Sequence, residues 1–251
     1  MLTPDGAANY MLNITTEDIA KKFGLESVPE SVKRLSQLLG KRDASTEDFA
    51  NLISQDKDLT ERLLRAANPR AESEEDYTTT TVEDALGRTG MSSALLLAMS
   101  DPLIRAVHKS FALMLKIELK ALAPNALDPL KEEHVLGEVS FSGKATGLVH
   151  LRLPKAFVPL LGERLLNLAA ADMEDEATAN DVIGELCNMI VGNFKSNLCD
   201  AGLTCKLSPP KIARTEEFKL RAVDGGTSQR YGFRAKELDF FADLSVNPWS
   251  D

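Results

Sequence analysis

Cysteine is scarce: three residues in 251, at positions 187, 199 and 205, are too few and too irregularly spaced for a disulfide framework or a zinc site. Positive charge is in deficit as well. Lys plus Arg number 29 against 38 Asp plus Glu, giving a formal net charge of −9. That balance works against gripping a phosphate backbone, so nucleic acid is not an expected partner. No run approaches the roughly 20 apolar residues that cross a bilayer. The opening MLTPDGAANYML lacks the basic and apolar regions of a signal peptide. No G-x-S-x-G elbow occurs, and the G-G-T-S at 225–228 has neither the lysine nor the following helix of a phosphate loop. These absences point to a cytoplasmic protein with reduced thiols and no membrane partner. What remains is an ordinary globular balance, 43% hydrophobic and 27% charged, long enough for one large domain or two of roughly 100–150 residues.

The chain divides into two halves of different grammar, and the division predicts domains at 1–100 and 101–251. Up to residue 100 only helical periodicity is found. Val32, Leu35, Leu38 and Leu39 recur at helical spacing in 28–40, closed by Gly40. Ser45 opens a capping box ahead of Phe49, Leu52 and Ile53. ERLLRAAN turns Leu63, Leu64 and Ala67 inward, Glu72–Asp76 reads as a solvated acidic loop, and Thr81 repeats the capping pattern. Met91–Met99 is apolar almost throughout and predicts a short buried helix.

After Asp101-Pro102 a five-turn helix is expected over 103–122, with Val107, Phe111, Met114, Leu115 and Leu119 on one side and Pro124 as its stop. Alternation from His134 predicts a β-hairpin turning at Ser142-Gly143-Lys144. A helix over Ala156–Leu168, an acidic connector at 172–176 and a long helix over Ala177–Ala201 follow. Strands are expected at 203–208, 211–223, 229–236 and 238–246, with a turn at Asp224-Gly225-Gly226. The fold class is therefore α+β: an all-helical packet, then long helices on an antiparallel sheet.

The helix from Asp181 divides cleanly at about 100° per residue. Val182, Ile183, Leu186, Cys187, Ile190 and Phe194 point to the core, which makes Cys187 a small buried hydrophobe. Asp181, Glu185, Asn188, Gly192 and Lys195 share the opposite side. Glu185 and Asn188 are neighbours on that face, flanked by Gly184 and Gly192. Each interior glycine costs roughly 1 kcal/mol relative to alanine. Either a partner approaches closely there, or a neighbouring element packs against the bare backbone. Asn193 and Asn197 lie on the other side, where bonds to a loop or a subunit partner are expected. His108, His134 and His150 have no companions at ligand spacing and read as structural or surface residues.

The string DVIGELCNMIVGNFKSNL, Asp181–Leu198, resembles the signature helix of the CheC and CheX chemotaxis phosphatases: an acidic or serine residue, E-x-x-N, then a proline further on. Pro209 and Pro210 come one or two residues sooner than that pattern has it. The hairpin GEVSFSGKATGLVHL and the order of elements over about 101–251 resemble the same family. The resemblance implies hydrolysis of the phosphoaspartate of a CheY-like response regulator. Asn188 would orient water and Glu185 would dock the regulator's lysine. Asp181, Gly184, Gly192 and Lys195 would form the partner-binding surface, and the acidic connector would add rim contacts. It implies no cofactor or metal on this chain, Mg²⁺ being the regulator's, and a homodimer paired through sheets.

SVPESVKRLSQLL, ASTEDFANLISQDKDLTERLLRAAN and TTVEDALGRTGM resemble the opening of HDOD domains, helical signalling modules generally without metal ligands. Only the first part, about 85 residues, is expected before the CheX-like region, which implies a binding, regulatory or structural role. The rival reading is a non-catalytic adaptor that binds a response regulator or flagellar-type partner, since fold alone does not fix function.

Overall fold

Four short amphipathic helices open the part of the chain that the computed structural model describes, which comprises residues 30–39, 41, 43–68, 70–71, 73–122, 133–144, 146–215 and 227–247. They are α1 (Glu30–Leu39), α2 (Thr46–Ile53), α3 (Lys57–Ala67) and α4 (Val82–Thr89). Their starts are fixed by side chains that accept orphan amides. Ser45 Oγ accepts from Asp48 N while Asp48 accepts from Ser45 N at 2.8 Å, and Asp56 and Thr81 cap α3 and α4. Val32, Leu35, Phe49, Leu52, Ile53, Leu59 and Leu63 then bury in one cluster. The expected C-cap Gly40 lies outside the described residues. Glu74–Asp76 forms an exposed single 3₁₀ turn.

Helix α5 (Met91–Ser110) corrects the expected break at Asp101-Pro102: one 20-residue helix carries Pro102 inside it. Proline removes one ladder bond and bends a helix, but Met99, Leu103 and Val107 on either side of it are fully buried. Their burial outweighs the lost bond. The expected continuation to residue 122 is also wrong. Phe111–Leu115 forms a π turn, Lys116 reverses the chain at φ 55°, and Leu119–Ala121 is strand β1. Met114, expected on the apolar side, is 56% exposed. The proposed stop Pro124 lies outside the described residues.

The hairpin forms as read, β2 (His134–Gly143) against β3 (Thr146–Pro154), with Val139 opposite Val149. Helices α6 (Val158–Leu166) and α7 (Glu176–Asp200) follow, the latter closed near Gly202 at φ +83°. Strands β4 (Cys205–Leu207), β5 (Lys211–Thr215), β6 (Thr227–Ala235) and β7 (Leu238–Asn247) complete an antiparallel sheet of order β1-β6-β7-β3-β2-β4, with β5 also on β2. The remainder of the strand expected over 211–223, and the turn at 224–226, lie outside the described residues.

One face of the sheet, with Val135, Val139, Val149, Leu151, Phe240 and Leu244, packs on α5 and α7 in a large cluster. The other face pairs polar and charged side chains. Arg230 makes two bonds to Asp243, at 2.7 and 3.0 Å, and His150 Nε2 lies 3.1 Å from Glu138. α5 serves both cores: Ala94 and Ala98 belong to the helical cluster, Leu95, Met99, Leu103 and Val107 to the sheet cluster.

Candidate active site on helix α7

Twenty-five residues long, α7 begins where Asp175 accepts from the Thr178 amide and hydroxyl. Those bonds hold the Asp175 carboxyl below its ordinary value. The helix is anchored by its inner stripe: Val182, Ile183, Leu186, Cys187, Ile190 and Phe194 are all fully buried. At Cys187 the fit is close. A Cβ on Gly137 of β2 would stand 2.2 Å from the Cys187 sulfur, so only glycine lets helix and strand meet there. Burial pushes the Cys187 thiol up to about 12, which makes it an inert hydrophobe.

With that stripe inside, the opposite side must face out. Asp181, Glu185 and Asn188 are exposed, and Gly184, Gly192 and Lys195 are half-buried. Among the described residues, neither Glu185 nor Asn188 makes a side-chain hydrogen bond or ion pair. A carboxylate and a carboxamide one turn apart are thus presented to solvent with their bonding capacity unspent. A Cβ on Gly184 or Gly192 would meet nothing within 4 Å. Among the described residues no neighbouring element explains the two glycines; they leave bare backbone there.

Two side chains on the far flank of α7 meet a different neighbour from the expected loop or subunit. Asn193 Nδ2 donates to Ser110 Oγ and Asn197 Nδ2 to the Pro102 carbonyl, both on α5 and both at 3.2 Å. Pro209 and Pro210 stand between β4 and β5. Just before them, Ser208 pairs with Ser140 of β2, its N donating to the carbonyl and its Oγ accepting from the amide. Prolines, which offer no N–H, interrupt the edge there.

The histidines stay apart from this surface. His108 lies edge-on to Phe233, its pKa lowered by burial, while His134 and His150 are buried in β2 and β3. Among the described residues, no three His, Cys, Asp or Glu side chains cluster to hold a metal ion, and no helix is long and apolar enough to cross a membrane.

Residues 135–234 match the family model described as chemotaxis phosphatase CheX, and residues 25–128 match the HDOD domain model. Similar solved structures include the chemotaxis protein CheX from Vibrio vulnificus (17% identity, TM-score 0.52, covering 59% of this chain and 99% of that one). A CheC-like superfamily protein from Shewanella sp. PV-4 gives 19% identity and a TM-score of 0.52, covering 59% of this chain and 97% of that one. No curated protein matches the chain. The chain therefore joins a helical segment that matches the HDOD model to a domain of the CheX fold. The HDOD match reaches past the 85 or so residues expected and takes in α5 and β1.

Proposed function

We propose that this chain, an HDOD segment followed by a CheX-like domain, hydrolyses the phosphoaspartate of a CheY-like response regulator. The observation that carries the reading is the exposed, unpartnered pair Glu185 and Asn188 on the CheX-matching helix, beside two glycines that crowd nothing. Hydrolysis of an acyl phosphate passes through a loose transition state and asks for an oriented water more than a strong base. Asn188 both donates and accepts, so it holds a water by two bonds in line with the phosphorus–oxygen bond. The water oxygen bonds to phosphorus, the bond to the aspartyl oxygen breaks, and the regulator's carboxylate and inorganic phosphate are released. Glu185 pairs with the regulator's active-site lysine, a charge-assisted contact that docks and orients the partner. The Mg²⁺ of the reaction is the regulator's.

Gly184 and Gly192 let the regulator's surface approach the helix backbone. Asp181, Lys195 and the exposed acidic turn at 172–176 form the rim, where charge acts on association rate more than on chemistry. The direct test follows phosphate loss from a phosphorylated regulator: wild type accelerates it, and Glu185→Ala and Asn188→Ala each abolish the acceleration. A regulator that binds equally well to wild type and Asn188→Ala, with no change in decay for either, identifies an adaptor instead.

A further inference from the structure

The inner flank of α7 carries two carboxamides that the proposed chemistry leaves unused. Asn193 and Asn197, one turn apart, donate to Ser110 Oγ and the Pro102 carbonyl of α5. Beyond them, Ser36 of α1 donates to the Ala201 carbonyl at the C-terminal end of α7. The apolar contact between α5 and α7 is non-directional, and a helix that turns or slides slightly keeps most of its buried area. Hydrogen bonds at fixed points along the axis do not tolerate such movement.

α5 is itself held in the helical packet. Ala94 and Ala98 sit in that core, and Arg62 of α3 bonds the Leu97 carbonyl at 3.2 Å and both Asp101 oxygens at 3.3 Å. A continuous mechanical path therefore runs from the HDOD-matching helices, through α5, to the rotation of the helix bearing Glu185 and Asn188.

We infer that Asn193 and Asn197 are positioning residues: they lock the rotation and register of α7 on α5, so that the helical packet sets the angle at which Glu185 and Asn188 meet the regulator. The inference rests on the phosphatase reading.

Two isosteric substitutions separate it from a merely structural role. In Asn193→Asp the bond survives, because the Ser110 hydroxyl can donate to a carboxylate. In Asn197→Asp it is lost, because a carbonyl only accepts and the carboxylate brings no proton. Per folded molecule, Asn193→Asp keeps most of the wild-type kcat, whereas Asn197→Asp loses about tenfold or more, the scale of a small misplacement of reacting groups. Equal kcat in both, with differences only in melting temperature, overturns the proposal.

Should wild type itself fail to accelerate phosphate loss, the phosphatase reading falls separately, and the clasp is read without activity. Spin labels at Met114→Cys and Ala177→Cys, both exposed positions, are placed in a Cys199→Ser background. Their distance distribution should shift or broaden on adding Asn197→Asp and stay unchanged on adding Asn193→Asp. Identical distributions in all three contradict the inference.

Discussion

Glu185 and Asn188 are exposed and, among the described residues, make no side-chain hydrogen bond or ion pair. Removing either side chain should therefore leave stability within about 0.5 kcal/mol of wild type, as for surface sites away from special features. Thermal unfolding checks this, and it separates loss of phosphatase activity from loss of fold. Asp175 behaves otherwise, because its carboxylate caps the site helix. Its pKa is lowered by the Thr178 hydroxyl and amide, so its stabilisation is present above the ordinary aspartate value of 3.8 and is lost as pH falls through the lower folded value. The melting temperature of wild type should exceed that of Asp175→Asn at neutral pH, and the gap should close in acid below that value. At Cys187 burial removes reactivity. In the native protein, alkylation at pH 8 should label the half-buried Cys199 and spare Cys187 until the chain is unfolded.

At the scale of elements, three glycines on or against α7 should respond in opposite directions. Gly137→Ala thrusts a methyl into the Cys187 sulfur and should cost about 1–3 kcal/mol, partly recovered by adding Cys187→Ala. Gly184→Ala and Gly192→Ala meet open space, so each should raise stability by about 0.5–1 kcal/mol through helix propensity. The same changes should weaken binding of the regulator, which calorimetry with a phosphoryl-analogue-loaded regulator would measure. A gain in stability with unchanged binding would show that those glycines have no docking role.

This scale also shows what the sequence makes legible. The two faces of α7 follow from period 3.6 alone, and all six residues assigned to its inner stripe are buried. The caps at Ser45 and Thr81 follow from local chemistry and form as read. Pro102 misleads, because a local breaker is overridden by burial on either side of it. Leu119 fits the helical spacing of the residues before it, yet a reversal at Lys116 sends it into β1 opposite Ala235. Periodicity carries no record of such a reversal. The contacts Gly137–Cys187 and Asn193–Ser110 join positions far apart in the chain, and no spacing rule encodes them.

For the whole molecule, the consequence of a shared α5 is that the two cores are not separable at residue 100. A chain beginning at 101 would lose Leu95, Leu96 and Met99 from the sheet cluster. One beginning at Met91 retains them while discarding α1–α4. Chemical denaturation should find the chain beginning at Met91 markedly more stable than the one beginning at 101, and equal midpoints would contradict the shared-helix account.

The central claim is most directly tested by the decay of a phosphorylated CheY-like regulator, measured by phosphate release with no protein, wild type, Glu185→Ala and Asn188→Ala, each variant checked for native melting. Acceleration by wild type alone is the predicted result. Decay at the same rate in all four, across several cognate regulators, would contradict it.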